Sequence, residues 1–269
     1  MGVLNVTPDS FSDGGDFVSS ERAVEHALRM IADGAEIIDV GGESTRPAGS
    51  TYGSGALPIS YSEEIERVIP VIEAIRRADR SVLISIDTQK SEVASSALSA
   101  GADIINDVSA GTYDEKIFDI AREGNAPIIL MHGHGPNFHK SKIEDYSYED
   151  VVTEVRNYLA MHIRAAREAR IKTILADVGI GFAKSYQDNL LLIKHHDKFS
   201  SLAVPLVLGV SRKSTIGKAM DGNIQPKDRI IGSIAAACYC VEHGAKIIRT
   251  HDVKETREAL AVIESIIAS

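Results

Sequence analysis

Little cysteine, no long apolar run and no surplus of positive charge mark this chain of 269 residues. Its two cysteines, Cys238 and Cys240, stand two apart in an apolar helical stretch and point to different faces. Neither a disulfide nor a zinc site is indicated, and they read as small core residues of a reducing compartment. No apolar run approaches the ~18 residues that span a bilayer, and no basic-then-apolar leader opens the chain. A soluble, cytoplasmic protein with no membrane partner is therefore expected. The formal net charge is −9, which argues against general nucleic-acid binding. Any anionic ligand must be met by a local cluster of cations.

What is present is a repeated alternation. The stretch 206–214 (LVLGVSRKS) starts as a buried strand and turns abruptly polar at Ser211, Arg212, Lys213 and Ser214. The same switch recurs after seven other apolar runs. Strands are expected over 1–6, 36–40, 82–86, 103–105, 128–131, 173–176, 206–210 and 246–248. Helices are expected over 21–32 with Ser20 as the cap, then 62–77, 91–99, 114–122, 149–169, 186–199, 227–242 and 253–267. Turn-rich loops, TPDSFSDGG at 7–15 and GGESTRPAGS at 41–50, follow the first two strands. An open doubly wound sheet would want fewer strands and a G-x-G-x-x-G turn after the first, and that turn is missing. The fold expected is α/β, a single (β/α)8 TIM barrel forming one domain over 1–269, close to the ~250 residues typical of that architecture.

In such a barrel the carboxyl ends of all eight strands meet at one mouth. Here they carry Asn5, Asp39, Asp87, Asn106, Met131-His132, Asp177, Arg212-Lys213 and Arg249 with His251. Asp and Asn also cap helices, but eight polar ends in a row exceed what capping requires. Asp87, Asn106, Asp177 and Lys213 offer fixed acceptors, an amide and a cation, which suits a flat heterocycle rich in N–H donors. Arg249, His251, Arg46 and Asn5 form a more cationic half, fit for phosphate oxygens, where the Asn5 carbonyl can help hold a hard cation. The set implies a donor-rich ring joined to a phosphate or diphosphate. No Ser-His-Asp or Cys-His arrangement supplies a strong nucleophile.

These motifs resemble the dihydropteroate synthase family of pterin-binding enzymes: MGVLNVTPDSFSDGG, IIDVGGESTRP, ISIDT, IINDVS, LMHGHG, GVSRKS and IIRTHDVKET, essentially end to end. The resemblance implies condensation of 6-hydroxymethyl-7,8-dihydropterin diphosphate with p-aminobenzoate, giving dihydropteroate and diphosphate in folate synthesis. It implies a pterin held by Asp87, Asn106, Asp177 and Lys213, with Met131 and Phe182 against the ring. Asn5, Arg46, Arg249 and His251 would meet the diphosphate and Mg2+, with Asn5 the metal contact. Asp87, Asp177, Lys213, Arg249 and His251 would carry catalysis. Phe11, Asp13, Thr45, Pro47 and Ser214 would surround p-aminobenzoate, which would make the chain a sulfonamide target. The family also implies a homodimer, for which the Ala-, Ile- and Cys-rich helix 230–241 offers a surface.

The chain departs from the family pattern at two loops. Gly133 stands where a second Met usually follows the fifth-strand His, and the sixth strand runs on as Asp177-Val-Gly-Ile-Gly-Phe-Ala183-Lys184. Two other readings compete. Corrinoid methyltransferases share the pterin pocket but have no use for Arg46, Arg249 and His251 together. A silent paralogue would bind pterin without releasing diphosphate. His132 and His134 could pair on a metal, but no third ligand accompanies them.

Overall fold

The computed structural model describes residues 1–6, 16–43, 59–133, 146–220, 222 and 224–269. Eight strands, β1 (Gly2–Asn5), β2 (Ile37–Gly41), β3 (Leu83–Asp87), β4 (Ile104–Asp107), β5 (Ile128–Met131), β6 (Ile174–Asp177), β7 (Leu206–Leu208) and β8 (Ala245–Ile248), pair in parallel in chain order. The ring closes where Gly2 bridges Thr250: Val3 N–H donates to Thr250 O at 3.0 Å and Thr250 N–H to Met1 O at 2.9 Å. This is the expected (β/α)8 barrel.

Side-chain alternation builds the interior. Ile37, Ile104, Ile129, Leu175 and Val207, one from each of five strands, form a single cluster with Met1 and Ile247 against it. Two residues further along each of these strands the side chain points the same way. Those positions are Asp39, Asn106, Met131, Asp177, Gly209 and, after Ile247, Arg249. Ser85, in register with Asp39, places Asp87 on the same side. The intervening residues, among them Ile38, Val40, Ile84, Ile86, Ile105, Leu130 and Leu208, are fully buried in the layer between sheet and helices. A greasy floor under a polar rim is thus a direct consequence of period two.

The helices are α1 (Asp16–Ala32), α2 (Tyr61–Ala78), α3 (Ser91–Ala100), α4 (Ile117–Glu123), α5 (Val151–Glu168), α6 (Tyr186–Lys194), α7 (Ser214–Ala219), α8 (Ile230–Glu242) and α9 (Val253–Ile267). Capping explains several starts: Ser60 accepts from Glu63 N–H at 3.2 Å, and Ser185 forms a reciprocal capping box with Asp188. Four expectations need correction. Ser20 lies inside α1, which begins four residues earlier, so it caps nothing. The helix expected over 186–199 ends at Lys194 and continues as a 3-10 turn, His196–Leu202, because the extra turn packs Phe199 into the core. The helix expected over 227–242 begins at Ile230, after a separate 3-10 turn at Pro226–Asp228. Strand β7 stops at Leu208 rather than at 210, and the short helix α7, for which no expectation was set, follows Lys213. Among the described residues no helix is long and apolar enough to cross a membrane.

Candidate active site

Arg249 stands at the centre of the mouth. Its Nε donates to Asp39 Oδ2 at 2.6 Å and its Nη2 to Asp87 Oδ2 at 2.8 Å. Asn106 Nδ2 donates to Asp39 Oδ2 at 3.1 Å, so the ends of four strands, β2, β3, β4 and β8, are tied into one network. Asp39 is fully buried; its Oδ2 accepts from both Arg249 and Asn106, and Asn106 Nδ2 also lies 3.4 Å from its Oδ1. Asp87 is different: its Oδ1 is buried with no hydrogen-bond partner among the described residues. Burial pushes the Asp87 carboxyl well above the usual carboxylate range, against the pull of Arg249. An orphaned buried acceptor of this kind is unfavourable by ~1–3 kcal/mol until a donor arrives.

Asp177 and Lys213 close the other side. Asp177 Oδ1 accepts from Gly179 N–H at 2.7 Å, and burial raises its carboxyl while Lys213 and that N–H oppose the rise. Lys213 Nζ donates to Ile180 O and lies 4.6 Å from the centre of the Phe182 ring. Burial lowers its ammonium to about 8, although Asp177 works the other way. Gly209 keeps the floor between them open: a methyl group there would lie 3.7 Å from Asp177 Oδ2, 3.8 Å from Lys213 Nζ and 3.9 Å from Arg249 Cβ. Met131, Val108 and Phe182 pack together as an apolar wall beside this floor. The pocket therefore joins acceptors, one ammonium and a flat apolar side.

The loop after β6 is held by a residue the polar strand ends do not reveal. Lys184 is buried, and its Nζ donates to His132 O at 3.1 Å, Gly179 O at 2.9 Å and Phe182 O at 2.9 Å. Burial lowers its ammonium to about 7. The departures Val178 and Ile180 are fully buried core residues, and Ala183 adopts a left-handed φ of 47°. None of them displaces a polar group of the pocket.

The end of β8 carries a second centre. The Ser211 hydroxyl oxygen accepts from the His251 backbone N–H at 3.1 Å and lies 3.0 Å from His251 Nδ1. That arrangement lets the serine hydrogen serve Nδ1 and leaves the imidazole proton on Nε2, an assignment made from the network. Burial, with Arg249 and Arg212 nearby, depresses His251 to about 3, so the ring is neutral near pH 7. His251 and Asn5 line one cavity together with Arg22, His26 and Arg29 of α1.

Asp87, Asn106, Asp177, Lys213, Met131 and Phe182 are thus gathered as expected, and Asn5 lies beside His251. Arg249, expected with the cationic half, donates to Asp87 of the ring-binding half and to Asp39, and sits at the junction of the two. Ser214 is the exposed first residue of α7. Phe11, Asp13, Thr45, Arg46, Pro47 and His134 lie outside the described residues. His132 points away from the mouth, 4.7 Å from the Tyr158 ring, because it follows the inward-facing Met131. Among the described residues no group of three His, Cys, Asp or Glu could hold a metal. Asp39, Lys184 and Ser211 are the residues that strand-end reading left without a role. Asp39 was visible as a polar strand end, whereas Lys184 carried no periodic signal.

Comparisons with known proteins agree with this geometry. Residues 1–251 match the family described as pterin binding enzyme. Dihydropteroate synthase of Streptococcus pyogenes is 44% identical over 268 residues, covering 99% of this chain and 94% of that protein. The structure of Xanthomonas albilineans dihydropteroate synthase with 4-aminobenzoic acid superposes with a TM-score of 0.90 at 41% identity, covering 100% of this chain and 93% of that one. The same enzyme in complex with 7,8-dihydropteroate gives 0.86 at 38% identity, again covering 100% and 93%. The chain belongs to the pterin binding enzyme family, among the dihydropteroate synthases.

Proposed function

We infer that this protein condenses 6-hydroxymethyl-7,8-dihydropterin diphosphate with p-aminobenzoate, releasing diphosphate and forming 7,8-dihydropteroate. The observation that carries the reading is the unpartnered Asp87 Oδ1 beside the Arg249 guanidinium, a buried acceptor next to a cation on an open floor. Such a pair awaits a ring that donates hydrogen and bears an anionic substituent. Diphosphate release should require p-aminobenzoate or rise strongly with it, with dihydropteroate appearing in step. Pterin binding without turnover would support a silent paralogue instead.

The roles follow from the chemistry of each group. Asp87 Oδ1, the Asn106 amide oxygen and Asp177 receive ring N–H and amino hydrogens, while Lys213 donates to the ring. Met131, Val108 and Phe182 cover an apolar side of the ring. The methylene–oxygen bond breaks with both electrons leaving on diphosphate, and the carbocation is shared with the ring. The flanking Asp87 and Asp177 stabilise that positive charge. The arylamine nitrogen then forms the new bond to the methylene carbon and loses one proton. Arg249 retains Nη1 without a partner among the described residues, so it can meet a departing oxygen while still holding Asp39 and Asp87. His251 Nε2–H adds a neutral donor. Arg46 and the loop residues Phe11, Asp13, Thr45 and Pro47, with Ser214, keep the diphosphate and p-aminobenzoate assignments that the family implies.

Mg2+ fits the donor set. Asn5 offers a single amide oxygen in the cavity it shares with His251, and a cation bound mainly by diphosphate oxygens and water needs little more from protein. Bound there, Mg2+ would neutralise charge on the leaving diphosphate. A homodimer is supported by α8, whose Ile231 is 78% exposed; a solution mass of one chain would overturn it.

Lys213 makes the pH dependence specific. Pterin binding needs its ammonium, which is lost as pH rises through about 8. Affinity measured by calorimetry should fall about tenfold per pH unit above that point. Lys213→Met should bind at least tenfold more weakly near neutrality and show no alkaline limb. Stability runs the other way. Between about 8 and the ordinary 10.5 the unfolded chain binds more protons than the folded one, so this group's contribution rises with pH there and is lost as pH falls.

A further inference from the structure

The turn that joins β7 to α7 contains a backbone conformation that the residue in it does not favour. Arg212, at its middle, has φ +60°. In this left-handed region Cβ crowds a backbone carbonyl, so a residue such as arginine takes it rarely and has to be held there. Both neighbours of Arg212 serve the mouth. Ser211 contacts His251, and Lys213 sends its Nζ to Ile180 O and over the Phe182 ring. The φ of one residue therefore sets the direction in which Lys213 leaves the turn relative to Ser211 and His251.

What holds Arg212 is the start of α8. Its backbone N–H donates to Ser233 Oγ at 2.9 Å, and its carbonyl accepts from Arg229 Nη1 at 2.8 Å. The Ser233 hydroxyl donates its own hydrogen to Arg229 O at 2.8 Å, which leaves its lone pairs for Arg212. Arg229 Nε donates to Ile224 O at 2.8 Å, and both side chains are buried. The fit around them is close: a methyl group on Gly217 of α7 would lie 2.6 Å from Arg229 Nε, and one on Gly232 of α8 would lie 2.7 Å from Ile216 Cγ2. The Arg212 side chain is tied separately, with its Nε donating to Asp252 Oδ2 at 3.0 Å.

A serine that bonds back to the carbonyl four residues earlier is ordinary helix chemistry and needs nothing from another loop. Here the same oxygen also takes the N–H of the strained residue, while Arg229 takes that residue's carbonyl. We propose that Ser233, with Arg229 beside it, is a positioning residue, which holds Arg212 in its left-handed conformation and so aims Lys213 at the pterin ring. The helix α8 thereby acts on the site without touching substrate. The pair with Asp252 reaches only the Arg212 side chain and leaves its φ free. The proposal rests on the reading of Lys213 as a ring contact given above.

A cycle of Ser233→Ala and Arg212→Gly tests it, read by calorimetric Kd for 6-hydroxymethyl-7,8-dihydropterin. Ser233→Ala alone should bind at least about fivefold more weakly, the equivalent of one hydrogen bond. Alanine is the better helix former, so this variant should melt close to wild type. Glycine takes the left-handed conformation without strain and keeps the same N–H and carbonyl, so Arg212→Gly should bind within about threefold of wild type. In that background Ser233→Ala should change Kd by less than about twofold, because no strained residue remains to be held. Equal losses from Ser233→Ala in both backgrounds would mean that the serine supports α8 alone and would overturn the proposal. An unchanged Kd in Ser233→Ala overturns it too, as does loss of binding in Arg212→Gly, which would give the control to the Asp252 pair. A wild-type protein that binds no pterin overturns the pterin reading and this role with it, whereas a wild type that binds beside an indifferent Ser233→Ala overturns the positioning role alone.

Discussion

Arg249→Ala should abolish most turnover and weaken the barrel in the same step. Arg249 is the shared partner of Asp39 and Asp87, at 2.6 and 2.8 Å. Removing it leaves two carboxylates facing each other in a region where Asp39 is fully buried. Breaking a buried ion pair from one side is unfavourable by about 3–5 kcal/mol, and the lower end applies because Arg249 is itself 22% exposed. Loss of a pre-placed donor to a departing oxyanion adds about 10²–10³ in rate. The two effects separate by pH. Without Arg249 the Asp87 carboxyl is held further above its unfolded value, so the folded state binds the extra proton and stability rises as pH falls from about 7 to 5. Thermal melts across that range, set beside kcat, decide the matter. A variant with near wild-type rates, or one that melts higher at the alkaline end, would contradict the role given to Arg249.

Gly179→Ala should be the most damaging single methyl in the mouth. Gly179 has φ +68°, and a Cβ there would lie 2.1 Å from the His132 carbonyl oxygen. Backbone cannot swing aside as a side chain can. The left-handed conformation alone is unfavourable for alanine by about 1–2 kcal/mol. The clash also displaces the N–H that holds Asp177 Oδ1 and the carbonyl that holds Lys184, each bond being worth about 1 kcal/mol or more. A loss of at least about 3 kcal/mol is expected by denaturant titration, together with loss of pterin binding. Gly209→Ala provides the contrast. Its methyl would meet Asp177, Lys213 and Arg249 at 3.7–3.9 Å, ordinary contact distances, so the protein should melt normally while the floor under the ring is blocked. Equal stability of the two variants would show that the loop after β6 is not held as described.

Period-two alternation made most of the site legible before any coordinates. Asp87, Asn106, Asp177 and Met131 each stand at a strand's carboxyl end, and the run of eight apolar strands dictates that these ends share one mouth. A strand end announces that a residue faces the mouth, but not which neighbour it will choose there. The pairing of Arg249 with Asp39 and Asp87 depends on register across β8, β2 and β3, residues 162 and 210 positions apart in sequence. Lys184 and Lys90 were out of reach for a related reason. Each is buried against backbone carbonyls or against carboxylates from other elements, and a lysine in a polar-looking stretch reads as solvated until the chain is packed around it.

The sequence by itself determined the order of strands and helices, the closed parallel barrel and the inventory of groups at its mouth, because these follow from local periodicity and from the rule that parallel strands point one way. Only the tertiary structure decided which charges are spent on one another and which remain free. Asp39 is consumed, Asp87 keeps one open oxygen, His251 is neutral and Lys90 gathers Glu43, Ile59 and Glu64. Those outcomes depend on burial and on distances of a few ångströms between segments remote in the chain, and neither quantity is written in the order of residues.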